Sequence, residues 1–125
     1  EGLNATFRYG GRAADRNLRL EREDQDKPLQ SHPIVKWHRE SGRASLFVNP
    51  SHTVGIEGWE DSPAVDLLEE LYAWAGQERF QARHIWQHGD TVIWDNRCCW
   101  HSASGENPLR QPRRFYRATI ADRSH

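Results

Sequence analysis

The 125 residues contain no methionine and only two cysteines, which are adjacent. A chain without methionine that starts Glu1-Gly2-Leu3 is expected to be a processed chain, a trimmed one or the product of a truncated gene. Adjacent Cys98 and Cys99 cannot build a disulfide framework, and a bridge between neighbours is strained, so a reducing, cytoplasmic compartment is the expectation. No apolar run approaches the ~18 residues of a membrane span, and no signal peptide is visible. A formal net charge of -1 argues against a general nucleic-acid binder despite the many arginines. With 36% hydrophobic and 28% charged residues, the chain reads as one small globular domain with a lean core.

Residues 1–30 differ in texture from the rest. Between Asp15 and Lys27, nine of thirteen residues are charged, and only Leu18 and Leu20 offer anything to bury. A charged connecting or lid segment is expected there, as a solvated helix or a mobile cover. The domain proper is expected over 31–125.

In that domain, "HPIVKW" reads as an extended lead-in shaped by Pro33, "ESGR" as a turn, and "ASLFVN" as a short strand closed by Asn49-Pro50-Ser51. "HTVGIEGW", with Gly55 and Gly58, reads as irregular. One helix is strongly indicated. Ser62 can cap it, Pro63 suits its first position, and Val65, Leu68, Leu71, Tyr72 and Ala75 fall on one face before Gly76 stops it. After it, "RFQARHIWQ" alternates, with Phe80, Ala82, His84 and Trp86 on one face. "HGD" is a turn, "TVIWDN" a second strand and "RRFYRATIA" a third. Short strands around a single helix suggest an α+β or mainly-β domain with antiparallel pairing.

The chemistry concentrates near the end. His101 follows a strand and a turn, and some ten residues later Arg113 and Arg117 share one strand face. Two arginines on a half-buried face are costly unless they meet anions, and guanidinium pairs with a carboxylate through two parallel hydrogen bonds. The residues alone leave two readings open: a histidine beside two anion sites, or three surface residues on a ladder edge.

"WDNRCCWH" followed by "RRFYRATI" closely resembles the C-terminal signature of the TauD/TfdA family, the Fe(II)- and 2-oxoglutarate-dependent oxygenases related to taurine dioxygenase and 2,4-dichlorophenoxyacetate dioxygenase. "HPIVKWHRESGRASLFVNPSHTVGIEG" and "FQARHIWQHGDTVIWDNR" are similar to the segments the family carries upstream, so the resemblance spans about residues 31 to 121. It implies a mainly-β fold with one or two helices, the C-terminal half of a double-stranded β-helix, or jelly roll. In that family iron is held by two histidines and one carboxylate, with open positions for 2-oxoglutarate and O2. The resemblance matches His101 to the distal iron-binding histidine and Arg113 to the arginine that holds the distal carboxylate of 2-oxoglutarate. It matches Arg117 to the arginine near an anionic substrate, a sulfonate or carboxylate, and His52, loosely, to a substrate-pocket position. Trp94 is expected to be packing, and Asp95 a turn-fixing acceptor.

The family's other two ligands are a His-x-Asp pair well upstream, and this chain shows no convincing equivalent. His88-Gly89-Asp90 and His38-Arg39-Glu40 have the right spacing, but each adjoins a turn and is not expected to ligate. The expected function is therefore a fragment of a 2-oxoglutarate-dependent dioxygenase hydroxylating a small anionic substrate, inactive alone, with a homo-oligomer left open. The alternative is an inactive half-barrel serving as a carboxylate-binding or assembly module. A hydrolase built on His101 and Asp95 lacks a placed nucleophile, because neighbouring strand cysteines are expected to face opposite ways.

Overall fold

The computed structural model describes residues 2–8, 28–103 and 114–120. The charged stretch from Asp15 to Lys27, and Arg113, lie outside the described residues. Five short strands precede one helix: β1 (Asn4–Phe7), β2 (Gln30–Pro33), β3 (Val35–His38), β4 (Arg43–Leu46), β5 (Thr53–Ile56) and α1 (Asp61–Ala75), followed by a 3-10 turn at Glu78–Phe80.

β1 is the middle strand of an antiparallel sheet ordered β2-β1-β5. Ala5 pairs with His32 on one side and Ile56 on the other, and the register slips between Thr6 and Phe7 on the β5 side. β3 and β4 form a separate antiparallel hairpin. Ile34 joins the two sheets: its N–H donates to the Leu3 carbonyl (2.9 Å), and its carbonyl accepts from the Phe47 N–H (2.6 Å). The turn between β3 and β4 closes through the Gly42 N–H on the His38 carbonyl (2.8 Å). Gly42 has φ 64, a left-handed conformation that favours glycine.

The buried core is small: Ala5, Ile34, Val48, Ile56, Ala64 and Leu68, with Phe7, Leu46, Leu67, Leu71 and Tyr72 packed against it. The helix brings Ala64 and Leu68 to this cluster, as the spacing of Leu68, Leu71 and Tyr72 predicts. Its start differs from expectation. The flanking residue is Glu60, so Ser62 and Pro63 lie inside the first turn. Proline is tolerated there because first-turn N–H groups have no intrahelical acceptor.

Further corrections concern strands. "HTVGIEGW" contains β5, in which Thr53 and Ile56 are buried. β1 supplies its partner, and Gly55 does not prevent pairing. The alternating segment after the helix, the strand at 91–96 and the strand over the described part of 113–121 form no ladder. Alternation only prepares a face; a strand also needs a neighbour for its N–H and C=O groups, and these segments find none among the described residues. Over 81–103 and 114–120, every described residue except Val92 and Asp95 is exposed, with Ile93 at 90%, Tyr116 at 92% and Ile120 at 93%. The hairpin shares this trait: Lys36 and His38 turn inward on β3, while Val35 and Trp37 stay exposed. Among the described residues no helix is long and apolar enough to cross a membrane.

Candidate functional site

The segment 94–101 is organised by Asp95. Its carboxylate accepts the Arg97 backbone N–H (2.8 Å), and its carbonyl accepts the N–H groups of Cys98 (3.3 Å) and Cys99 (3.0 Å). An aspartate that captures the N–H two residues on makes a turn by itself. Trp94 adds a local bond, its indole N–H donating to the Asn96 side-chain oxygen (2.8 Å). The expected role of Asp95 as turn-fixing acceptor matches this geometry.

The same carboxylate reaches across the fold. The Arg97 guanidinium donates to it through Nη2 (2.6 Å) and Nε (3.0 Å), and its Nη1 lies 3.0 Å from Glu40 on the β3–β4 turn. His38, at the end of β3, places Nε2 3.0 Å from Asp95 Oδ2. The Ser41 backbone N–H approaches His38 Nδ1 at 3.3 Å, so Nδ1 is the acceptor and Nε2 carries the hydrogen given to Asp95. Arg97 first, then His38, hold the Asp95 carboxyl far below the usual carboxylate range. Arg97 also lowers Glu40, and the two carboxylates push the guanidinium above its ordinary value.

His38, Asp95 and Cys98 each bring one potential ligand atom within 4.8 Å of the others. The donor set does not suit a cation. Both His38 ring nitrogens and both Asp95 oxygens are already committed, and a guanidinium lies against the carboxylate. This ionic tie between the hairpin and the 94–97 turn had no local signal in the sequence. Its only trace was the His-x-Glu spacing at 38–40, set aside as a ligand pair.

His101 is exposed, and its ring lies 4.8 Å from that of Trp94. It joins no three-donor group among the described residues. One imidazole with no second nitrogen or carboxylate beside it does not meet the needs of Fe(II), so the described residues do not by themselves fit the iron site that the resemblance implies. Arg117 is exposed, and with Arg113 outside the described residues the expected neighbour of His101 is not in view. The segment that carries Arg117 is reached from the preceding one by Trp86, which meets Phe115 edge-on at 5.1 Å. His52 sits in the Asn49 turn: its N–H and its Nδ1 both approach Asn49 Oδ1, at 3.0 and 3.1 Å. His88 flanks Gly89, whose φ is 90, and the contact at this turn is made by His84, 2.9 Å from Asp90. Cys98 and Cys99 do not face opposite ways. They belong to a turn rather than a strand, and their sulfurs are 3.9 Å apart.

The sequence matches the family described as taurine catabolism dioxygenase TauD, TfdA family, over residues 1–119. It is 38% identical over 96 residues to the (S)-phenoxypropionate/alpha-ketoglutarate-dioxygenase of Sphingobium herbicidovorans, covering 77% of this chain and 33% of that protein. It is 43% identical over 74 residues to an alpha-ketoglutarate-dependent 2,4-dichlorophenoxyacetate dioxygenase of a Burkholderia strain, covering 59% and 25%. A crystal structure from Burkholderia xenovorans, a candidate alpha-ketoglutarate dependent 2,4-D dioxygenase, superposes with a TM-score of 0.68 at 35% identity, covering 78% of this chain and 38% of that one. The chain thus spans about a third or less of the curated relatives it matches.

Proposed function

The chain belongs to the TauD/TfdA dioxygenase family, and on that premise we propose that it forms the C-terminal part of a 2-oxoglutarate-dependent dioxygenase acting on a small carboxylate or sulfonate. The fold proposed for the assembled enzyme is the jelly roll, with 31–125 as its C-terminal part; of the connecting or covering segment expected at 1–30, β1 belongs instead to the core sheet. The observation that carries this reading is the state of 81–103 and 114–120. These segments lie within or beside the family match, form no ladder and leave Ile93, Tyr116 and Ile120 almost fully exposed. Apolar faces of that kind are expected where a further layer of strands packs.

In this proposal His101 is one of the iron ligands, and the other two come from a segment outside these 125 residues. With Fe(II) bound, the family reaction consumes 2-oxoglutarate and O2, releases succinate and CO2, and hydroxylates a substrate C–H bond. Arg113 binds and orients the distal carboxylate of 2-oxoglutarate through its planar fork of donors. Arg117 attracts the substrate anion, and His52 contributes to the substrate pocket. The relatives' names, phenoxypropionate and 2,4-dichlorophenoxyacetate dioxygenases, support a carboxylate substrate. Exposed free Cys98 and Cys99 support a reducing, cytoplasmic setting.

The test is steady-state kinetics of the assembled enzyme. Arg113→Ala is expected to raise the KM for 2-oxoglutarate by about tenfold or more, since a charge-assisted pair is worth ~1.5–3 kcal/mol. Arg117→Ala is expected to weaken substrate binding and leave the 2-oxoglutarate requirement unchanged. The two effects exchanged would show that the strand register is wrong.

A further inference from the structure

We propose that Cys98 and Cys99 form a two-thiol chelate site for a monosubstituted trivalent arsenical, with their sulfurs already spaced for a common centre. This goes beyond the dioxygenase reading and does not depend on it. Both thiols are free and exposed. Their sulfurs lie 3.9 Å apart. Two bonds of the ~2.3 Å length that soft centres make to sulfur, meeting at the ~100° angle of a pyramidal trivalent arsenic, hold their sulfurs ~3.5 Å apart. The pair therefore has to close by only a few tenths of an ångström to take up such a centre.

The turn holds the pair ready. The N–H groups of both cysteines point at one acceptor, the Asp95 carbonyl, at 3.3 and 3.0 Å, and the Cys98 thiol lies 3.8 Å from the same oxygen. The Asp95 carboxylate in turn ties down the Arg97 N–H and guanidinium between them. Little conformational freedom remains to be lost on chelation, which favours binding.

The surroundings choose between soft ligands. A structural zinc site needs four protein donors. His38 and Asp95 are near Cys98, but their ring nitrogens and carboxylate oxygens are used within the ionic tie. Only two thiols are on offer. Trivalent arsenic bonded to one carbon needs just two more bonds, so this pair completes it. The reaction with phenylarsine oxide is balanced: two S–H bonds break, two As–S bonds form, and the oxygen leaves as one water. Arsenic stays trivalent, and no oxidant or reductant is needed. Burial and the Cys99 thiol beside it push the Cys98 thiol above its ordinary value.

The experiment is intact-mass and competition titration of the full chain with phenylarsine oxide, kept reduced by a phosphine. One arsenical per chain is expected, reversed by an excess of a small dithiol but not of a monothiol. Cys98→Ser and Cys99→Ser should each weaken capture by about a hundredfold or more, because the second bond to a chelate forms at high effective concentration. Zinc alone should bind no more tightly to the parent chain than to either serine variant. Several results would overturn the proposal. They are equal capture by a serine variant, one arsenic bridging two chains, no adduct although both thiols react with a monofunctional thiol reagent, or zinc binding that depends on both cysteines.

Discussion

His38 and Asp95, 57 positions apart, meet at 3.0 Å between Nε2 and Oδ2. This contact joins the β3–β4 hairpin to the turn that precedes His101, with Arg97 and Glu40 completing the tie. Removing one end should leave the other partners facing each other without compensation. Asp95→Asn is expected to lower the urea midpoint more than Glu40→Gln, since Asp95 serves Arg97, His38 and a backbone N–H while Glu40 is largely exposed. A double-mutant cycle of His38→Ala and Asp95→Asn should show coupling, and strictly additive effects would mean that the contact contributes nothing.

The same carboxylate predicts an acid dependence. Its folded-state affinity for protons is depressed, chiefly by Arg97 and then by His38. The unfolded chain therefore takes up this proton first as the pH falls. The stabilisation is complete above the ordinary carboxylate range and is lost on acidification below it. Denaturation midpoints from neutral pH down to about pH 3 should fall in the parent and fall less steeply in Asp95→Asn.

His32 gives a second window, nearer neutrality. Its ring meets Phe7 and Phe47, each with centroids 5.5 Å away, and Lys36 lies over Phe47 at 3.4 Å. Burial first, and the Lys36 charge second, lower the affinity of His32 for a proton. Protonation then favours the unfolded chain, so stability is full above the ordinary histidine value and declines as the pH falls through it. Stability measured between about pH 7.5 and pH 5 should drop in the parent and stay flatter in His32→Gln.

The core sets a scale for these effects. Leu68, 3% exposed, closes the helix onto the sheet. Leu68→Ala should cost about 2–5 kcal/mol in chemical denaturation. Ala5 is fully buried at the middle strand, so Ala5→Val should cost about 1–3 kcal/mol through overpacking.

These contrasts explain what the residues disclose by themselves. The helix was legible because Leu68, Leu71 and Tyr72 recur at helical spacing, and the hairpin turn because Gly42 takes a conformation other residues resist. β5 was not, because Gly55 interrupts its pattern and its partner β1 lies some fifty residues earlier. The segments after the helix alternate like strands, yet ladders depend on neighbours that a single segment cannot announce. The tie between His38 and Asp95 was hidden for the same reason. The approach of the Cys98 and Cys99 sulfurs was missed because a strand was expected where the Asp95 turn sits. The family was legible in the motifs around His101, and its match extends to residue 1, through β1.

The exposed apolar faces should make the chain self-associate. Ile93, Ile120 and Trp37 are 90%, 93% and 74% exposed. Sedimentation velocity should show concentration-dependent growth beyond the monomer, and Ile93→Lys with Ile120→Lys should suppress it. A chain that remains monomeric at high concentration would argue that these faces need no cover.

The most direct test is succinate formation from 2-oxoglutarate with Fe(II) and ascorbate. It compares the 125-residue chain alone with the chain joined to a TauD/TfdA-type segment that carries a His-x-Asp pair. The expected result is no turnover alone, turnover after joining, and its loss on His101→Ala. Stoichiometric iron binding and turnover by the chain alone, abolished by His88→Ala or Asp90→Ala and indifferent to His101→Ala, would contradict the account.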